Sequence, residues 1–490
     1  MFDNLVFARD GGSVYFNVSG GNRPRTTLAR MALLGGVITE LIPQVHSDVT
    51  FSPDGRQMAF LRRQIAEPRQ TSIIIADSSN GQNQRTLISR PRATGFSSDG
   101  LSWSPDGNSI AFSAYSDSEQ AQILSVSVAD GNVTRIGNRD WNNVDNLQWL
   151  PDGSAVLVVA REIAGEKRLR QIWLVPYPQG EPRLVTNDLN VFLHKWISVS
   201  ADGKLAVVQG SVNSEIWIAP HGDATQARRV LQGVTPRYEG VDGLAWTPDG
   251  RLLYTAYVGD SQVIWSMDSD GTDLKQLTPN IATASDSDIC VSADGRHVVF
   301  QSNRSSSLEI WRMNSDGSDL KQLTKGGNNS QPSLSPDGQW VVYTAAKRNA
   351  KAILSRIPIG GGEPTWIADL SSSWSQVSPD GHYIACVLTS PRRLLVIPFA
   401  GGEPVKSFPV PETAGNGRLR IRWAPDGKAI IYRADPEGLW RQKMDEDTPQ
   451  LVPGFEAFPV RHLAWSFDGK TLAYTSGPTT QEIILIENFK

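Results

Sequence analysis

The chain has 490 residues, of which 39% are hydrophobic and 20% are charged, and its formal charge is -4 at pH 7. This composition is that of a globular protein with enough material for a large core, which excludes a small disulfide-stabilised domain. Acidic residues outnumber basic ones and no basic block occurs, so the chain is not expected to bind nucleic acid directly or to bind an anionic membrane.

The first residues, Met1 to Phe7, read as a strand and not as a secretory signal, because no positive segment precedes an apolar core. The best apolar run, Met31 to Ile42, is interrupted by Gly35 and Gly36. It is also shorter than the roughly 18 residues that a membrane helix needs. The sequence therefore predicts no membrane insertion by this chain.

A short motif recurs along the whole chain at a spacing of 42 to 52 residues, which is typical of repeat architectures. Its full form is Pro-Asp-Gly, as in Ser52-Pro53-Asp54-Gly55, and four weaker copies keep only Asp-Gly. Eleven repeats follow, marked by Asp10, Asp54, Asp106, Asp152, Asp202, Asp249, Asp294, Asp337, Asp380, Asp426 and Asp468.

Each repeat predicts four short antiparallel strands, as the copy from Gln331 to Ala368 illustrates. In chain order, the strands are Gln331 to Ser335, Trp340 to Tyr343, Ile353 to Ile357, and a fourth around Trp366 and Ile367. A proline that presets φ and a glycine that accepts positive φ predict a tight corner after the first strand. The third strand elsewhere carries Ile-Trp, as at Ile172-Trp173, Ile216-Trp217, Ile264-Trp265 and Ile310-Trp311, and we expect these tryptophans in the core.

Four-stranded units repeated around an axis are the blades of a β-propeller, so the predicted fold is all-β. Single rings have about 4 to 8 blades, and eleven repeats therefore predict tandem propellers built from eleven four-stranded blades. The later repeats are the more regular. The predicted domains are 1–233, with five repeats and possibly one blade too few, and 234–490, with six repeats.

The corner motif, the Ile-Trp strand and endings such as Gly271 to Thr278 resemble the TolB-type, WD-like propeller repeat. The string of repeats also resembles the propeller region behind kinase or winged-helix, CadC-like domains in acidobacterial regulators. The chain has none of the kinase signature motifs, so kinase activity is not carried over. The resemblance implies a sensor or interaction region of a bacterial signalling regulator, with a further blade and an effector domain upstream.

Motifs for catalysis or metal binding are not evident in the sequence. No GxSxG nucleophile elbow occurs, and the six histidines and two cysteines lack the spacing of a metal site. The acidic stretches Asp268 to Asp273 and Asn314 to Asp319 lack the bidentate glutamate of a calcium loop and read as hairpin turns. We therefore expect no cofactor and a non-catalytic protein, with a hydrolase-type site at a ring axis as the alternative.

Recognition of a protein partner or a small ligand on a propeller face is the predicted function, because variable loops on a rigid frame commonly carry it. A periplasmic interaction partner resembling TolB is a further alternative. Without a signal the chain is expected in the cytoplasm, or in the periplasm if it is part of a membrane-spanning regulator. Solvated surface is the competing interpretation for each candidate binding residue, and the aromatic ones are favoured as anchors. The candidates are Arg139, Asp140, Trp141, Asn187, Asp188, Arg237, Tyr238, Glu239, Asn328 and Asn329.

Overall fold

The computed structural model is built almost entirely of antiparallel sheets, and it confirms the predicted all-β, tandem-propeller fold. Within the described residues the helical structure is a single 3-10 turn, Ala224–Gln226. The described residues are 2–18, 26–64, 69–91, 95–116, 120–162, 171–186, 197–212, 214–230, 239–258, 261–281, 284–346, 352–368, 372–389, 392–410, 419–434, 438–455 and 460–489.

Two compact units divide the chain: the first is built from two separate segments, and the second is one continuous segment. The first comprises Met1–Ser211 and Gln481–Lys490, and the second comprises Val212–Thr480. The predicted boundary at 233/234 falls among residues 231–238, which lie outside the described part of the chain. The chain passes between the two units after Ser211 and again after Thr480, and the predicted boundary stays a prediction.

The first unit holds five sheets, numbered here as blades 1 to 5. Blade 1 contains β1 (Phe2–Phe7), β2 (Ser13–Val18), β3 (Thr27–Ala32) and β4 (Thr39–Pro43); blade 2 contains β5 (Thr50–Phe51), β6 (Gln57–Arg63), β7 (Gln70–Asp77) and β8 (Arg85–Pro91); blade 3 contains β9 (Phe96–Trp103), β10 (Ser109–Tyr115), β11 (Ala121–Ser127) and β12 (Val133–Arg135); blade 4 contains β13 (Asn143–Trp149), β14 (Ala155–Arg161), β15 (Gln171–Pro176) and β16 (Arg183–Leu184); blade 5 contains β17 (Ile197–Val199), β18 (Leu205–Val212) and β43 (Thr479–Ile486).

The second unit holds six four-stranded sheets, blades 6 to 11. Blade 6 contains β19 (Glu215–Pro220), β20 (Arg228–Arg229), β41 (His462–Trp465) and β42 (Thr471–Ser476); blade 7 contains β21 (Leu244–Trp246), β22 (Leu252–Val258), β23 (Ser261–Met267) and β24 (Lys275–Gln276); blade 8 contains β25 (Asp286–Val291), β26 (His297–Ser302), β27 (Glu309–Asn314) and β28 (Lys321–Gln322); blade 9 contains β29 (Asn328–Leu334), β30 (Trp340–Ala346), β31 (Ile353–Pro358) and β32 (Thr365–Ala368); blade 10 contains β33 (Ser372–Val377), β34 (Tyr383–Thr389), β35 (Arg392–Pro398) and β36 (Lys406–Pro409); blade 11 contains β37 (Ile421–Trp423), β38 (Ala429–Ala434), β39 (Gly438–Lys443) and β40 (Gln450–Leu451).

The repeated motif forms the corner between the first two strands of a blade. In blade 2 the Ser52 hydroxyl donates to Asp54 Oδ1 at 2.6 Å, and the backbone N–H of Arg56 donates to the same oxygen at 3.0 Å. Gly55 takes a φ of 70°, which a side chain would disfavour. The serine hydroxyl, followed by the backbone N–H, lowers the pKa of the Asp54 carboxyl.

Apolar side chains fill the space between neighbouring blades of the second unit. A cluster containing Ile216 and Trp246 joins blade 6 to blade 7, and further clusters join each following pair up to blade 11. A last cluster, with Ile431 and Tyr474, joins blade 11 back to blade 6. The six sheets therefore form a closed ring in which both faces of each sheet are buried.

Blade 6 closes this ring with strands from two distant parts of the chain. β19 pairs with β42 in antiparallel register, so that Ile216 lies opposite Thr475 and Trp217 opposite Tyr474. The sequence predicts Ile216 and Trp217 as the third strand of the repeat marked by Asp202. In the structure they are instead the third strand of the blade built on the last repeat.

Blade 5 is completed by the end of the chain, because β43 lies beside β18. It has three strands among the described residues, whereas four were predicted. Apolar clusters join blades 1 to 2, 2 to 3, 3 to 4 and 4 to 5. A further cluster, with Val14 and Phe16, lies within blade 1 alone. The prediction that the first ring lacks a blade stays a prediction.

No helix among the described residues is long and apolar enough to cross a membrane.

Replacing Ile216 by Ala tests the ring closure. Ile216 is fully buried in the cluster between blades 6 and 7. We expect the substitution to lower the free energy of unfolding by about 2 to 5 kcal/mol, because it removes apolar contacts and leaves a cavity. Differential scanning calorimetry measures the effect. Val405→Ala, at a side chain that is 51% exposed, is the control, and equal small losses in both variants would contradict the closure by β19.

Candidate functional site

The first strands of blades 6 to 11 surround one cavity of about 290 Å³, which we call the axial cavity. Each of these strands ends just before a corner aspartate, so residues at the same distance from that aspartate occupy equivalent places. Counting six residues back from the aspartate defines the bulge layer: Gly243, Asp288, Gln331, Trp374, Arg420 and His462. Counting four residues back defines the middle layer: Ala245, Cys290, Ser333, Gln376, Arg422 and Ala464.

Three consecutive blades have a β-bulge at the first of these layers. The register of β25, β29 and β33 shifts at this point, and Asp288, Gln331 and Trp374 have φ values of 49°, 58° and 56°. Positive φ is unusual for residues other than glycine and is retained where the surroundings hold it. A bulge also redirects a side chain, and here Asp288, Gln331 and Trp374 all line the axial cavity.

The bulged residues are held by groups of neighbouring blades. The N–H of Asp288 donates to the carbonyl of Asp242 in the preceding blade at 2.6 Å. The N–H of Trp374 donates to Gln331 Oε1, again in the preceding blade, at 2.7 Å. Backbone groups that a bulge removes from the sheet ladder are therefore satisfied across the ring.

Arg420 links several blades at the bulge layer. Its guanidinium donates to the carbonyl of Val241 at 2.9 Å and to Asp242 Oδ1 at 3.1 Å. It also lies 4.0 Å from Asp288 Oδ1 and 4.7 Å from the centre of the Trp374 ring. This guanidinium is hydrogen-bonded, paired with acidic groups and stacked on an aromatic ring, which suits a structural role at one end of the cavity.

The middle layer contains a guanidinium and a thiol. Arg422 Nη1 donates to the carbonyl of Ile421 at 3.0 Å, and Nη2 lies 3.4 Å from His462 Nε2. Burial lowers the pKa of Arg422 to about 10, an effect that Asp288 opposes and Arg420 reinforces. Burial also raises the pKa of the Cys290 thiol to about 12, so this thiol is protonated at neutral pH and is a poor nucleophile.

The end of the cavity nearest the corners is aromatic, with Trp246, Trp423, Trp465 and Phe467 among its lining residues. Trp246 Nε1 donates to the carbonyl of Ala464 at 3.2 Å, and Trp423 Nε1 donates to the carbonyl of Gln376 at 3.0 Å. Phe467 occupies the corner position that is proline in the full motif, and it is 47% exposed. We call these four side chains the aromatic rim.

The chemistry available in the axial cavity is suited to binding an ionised or hydrogen-bonding group. A carboxylate, a guanidinium and two amide side chains face a cavity that also has aromatic walls. Burial and the nearby arginines lower the pKa of His462 well below its usual value, so the imidazole is neutral at pH 7. Among the described residues, no group of three or more His, Cys, Asp and Glu side chains is placed to hold a metal ion.

The candidates Arg139, Asp140 and Trp141 lie together in the first unit and are not part of the lining of this cavity. Trp141 is 1% exposed and contacts Trp173 at a ring distance of 5.3 Å. Arg139 lies over both rings and pairs with Glu162, while Asp140 accepts from Gln122 and Arg135 at 2.9 Å. Trp141 is thus part of the core between blades 3 and 4, and partner binding by these residues stays a prediction.

Asn328 and Asn329 lie at the start of β29 and differ in exposure. Asn328 is exposed, whereas Asn329 is buried and donates to Glu309 Oε2 at 2.7 Å. The buried Glu309 carboxylate also accepts from Thr324, Ser307 and the N–H of Gly327. Asn329 therefore helps to satisfy a buried charge. The candidates Asn187, Asp188, Arg237 and Tyr238 lie outside the described residues.

The residues of the axial cavity were not among the predicted candidates. Alignment of the repeats on their corner aspartates reveals the signal that identifies them. The apolar positions agree from repeat to repeat, whereas the bulge position changes from Gly to Asp, Gln, Trp, Arg and His. A position that is structurally equivalent but chemically different in each blade is typical of a binding surface on a repetitive frame.

Comparison with known proteins locates a family match in the second unit. Residues 224–397 match the family model described as the TolB beta propeller domain. This segment is a TolB-type propeller region. It runs from the 3-10 turn to β35 and includes the three bulged strands.

Individual proteins match this chain at low sequence identity. The uncharacterized peptidase YuxL of Bacillus subtilis (strain 168) is 25% identical over 123 residues, which are 24% of this chain and 18% of that protein's length. The structure of TolB from Acinetobacter baumannii is 16% identical, covering 72% of this chain and 65% of that one, with a TM-score of 0.25. An oligogalacturonate lyase in complex with manganese is 15% identical, covering 72% and 88%, with a TM-score of 0.31.

Glu239, the remaining candidate, makes the stability of the fold depend on pH. Burial, reinforced by Glu215, raises the pKa of Glu239 from 4.5 to about 7. Between pH 4.5 and about pH 7 the Glu239 carboxyl is ionised in the unfolded chain but still protonated in the folded one. The free energy of unfolding therefore falls as pH rises through this range, and the full decrease is reached above about pH 7. We expect Glu239→Gln to be more stable than the wild type at pH 8 and equally stable at pH 4.

Urea unfolding at the two pH values measures this difference. Glu363→Gln, at an exposed carboxylate, is the control. A gain for Glu239→Gln that is the same at both pH values would contradict the assigned titration.

Proposed function

We propose that this chain is a non-catalytic β-propeller module that recognises a protein segment at the axial cavity of its second propeller. The observation that carries the proposal is the composition of that cavity. It has an aromatic rim at the corner end and polar side chains, Gln376, Arg422 and Asp288, further in. Recognition pockets commonly combine apolar walls with a few polar groups that orient the ligand.

The size and the exposure of the rim support a peptide as the bound group. A cavity of about 290 Å³ is at the small end of the range for ligand pockets, which suits one or two inserted side chains. Aromatic side chains are enriched in the centres of protein interfaces. Phe467 and Trp465 keep part of their surface open to solvent and can cover an inserted side chain.

The state of the thiol and the imidazole described at this site supports a binding role over catalysis. The described thiol of the cavity is protonated and the described imidazole is neutral and buried. Nucleophilic catalysis requires a group with a lowered pKa or an adjacent base. In the wider proposal, the module is the sensor or interaction region of a bacterial signalling regulator, in line with the resemblance of its repeats.

Phe467→Ser tests recognition at the aromatic rim. Peptides selected from a phage-displayed random library against the purified chain are synthesised, and their affinity is measured by fluorescence anisotropy. We expect Phe467→Ser to weaken binding by about tenfold or more, because truncating an aromatic anchor of an interface commonly costs over 1 kcal/mol. The melting temperature should change little, since the side chain is half exposed.

The matched control is Trp366→Ser, at an aromatic side chain of the same ring that is 61% exposed and lies on the outer strand β32. It should bind the peptides like the wild type. Equal affinities for Phe467→Ser and wild type, or no selected peptide at all, would contradict the proposed site. Cleavage of a bound peptide, seen by mass spectrometry, would contradict the non-catalytic role.

A further inference from the structure

Four arginines from blade 11 and the adjoining blade 6 lie around His462. Arg422 lies in β37, and Arg420 directly precedes that strand. Arg433 lies in β38, and Arg461 directly precedes β41. Together with His462 they line a small pocket next to the axial cavity, and no acidic side chain is among the described residues that line it. Arg422 lines both this pocket and the axial cavity.

Arg420 and Arg422 differ in how their charges are compensated. Arg420 donates to Asp242 and lies 4.0 Å from Asp288. The hydrogen bonds of Arg422 go to the carbonyl of Ile421 and to the ring of His462, neither of which is an anion. Within the described part of the chain, Arg422 therefore faces the cavity without an acidic side chain in direct contact.

Burying a guanidinium is unfavourable in free energy unless it pairs with an anion. Transferring a charge out of water is unfavourable when no opposite charge or sufficient hydrogen bonding replaces the lost hydration. Burial lowers the pKa of Arg422, the negative charge of Asp288 opposes this only in part, and the positive charge of Arg420 lowers the pKa further. His462 cannot compensate, because it is neutral, and its Nδ1 is buried without a hydrogen-bond partner among the described residues.

We infer that the group recognised in the axial cavity is a carboxylate, which pairs with Arg422 while the rest of the ligand contacts the aromatic rim. This inference rests on the proposed function and specifies its ligand. A guanidinium presents two parallel N–H donors that match the two oxygens of a carboxylate. The carboxylate can come from an aspartate or glutamate side chain or from the free end of a peptide.

The other charges of the cavity favour a singly charged carboxylate over a phosphate. Asp288 also lines the cavity, and its negative charge would repel a dianion more strongly than a monoanion. The aromatic rim offers apolar surface to the neighbouring atoms of a peptide. A strongly hydrated phosphate would lose water at this rim without gaining hydrogen bonds there.

The experiment compares peptides selected by the wild-type chain with those selected by Arg422→Gln. The wild type is expected to enrich Asp and Glu at least about threefold over the starting library, and Arg422→Gln to show no such enrichment. For a selected peptide, exchange of its Glu for Gln should weaken binding on the order of 30-fold, which corresponds to the loss of a buried charge pair. Amidation of the peptide terminus distinguishes a side-chain carboxylate from a terminal one.

Arg296→Gln is the matched control, because it removes the same charge from an arginine whose side chain is 80% exposed. It should select and bind acidic peptides like the wild type. Arg422→Lys keeps the positive charge and should restore part of the preference for acidic peptides. The Glu to Gln exchange in the peptide uses only the wild-type chain, so it tests the inference even if Arg422→Gln does not fold.

Binding that depends on Phe467 but is equally strong for acidic and neutral peptides would overturn the inference that a carboxylate is recognised. The proposed binding site at the aromatic rim would then still stand. If Arg296→Gln lost binding to the same extent as Arg422→Gln, the loss would be explained by the change in net charge alone. That result would also overturn the inferred pairing of a carboxylate with Arg422. Failure of every peptide to bind would overturn the proposed function itself, and the inference with it.

Discussion

The pairing of β19 with β42 is the contact on which the second propeller depends. A ring of sheets buries both faces of every sheet only when its last blade meets its first. Here the closing sheet joins Glu215–Pro220 to Thr471–Ser476, which are separated by most of the unit. The entropic cost of closing a loop grows only slowly with loop length. Burial of the apolar clusters that contain Ile216 and Tyr474 can therefore offset the cost of pairing two distant strands. The chain then continues into β43, which completes blade 5.

Ring closure also determines the geometry of the candidate site. The bulges at Asp288 and Trp374 leave backbone N–H groups outside the sheet ladder, and these groups bond to acceptors of the preceding blade. Arg420 of blade 11 reaches the carbonyl of Val241, just before blade 7, so the axial side chains are held from several blades at once. A site of this kind is preorganised by the frame, which lowers the entropic cost of binding.

The distribution of charge separates structural groups from those available to a ligand. Glu309 is buried and satisfied by four donors, among them Asn329, and Arg420 is paired and stacked. Arg139 likewise lies over the rings of Trp141 and Trp173. Arg422 differs, since its described hydrogen bonds are to neutral groups and it faces a cavity with an aromatic rim. This difference leads to the proposed recognition of a peptide.

Sequence alone determined the all-β class, the eleven repeats and the corner geometry, because Pro336, Asp337 and Gly338 act through local backbone preferences. It did not determine which sheet Ile216 and Trp217 join, since strand pairing depends on contacts between distant segments. Nor did it separate Trp141, which is buried, from a surface anchor, because both uses suit an aromatic side chain. Convergence of Asp288, Trp374 and Arg422 on one cavity was decided by the tertiary structure, since only a closed ring brings six first strands around a common axis.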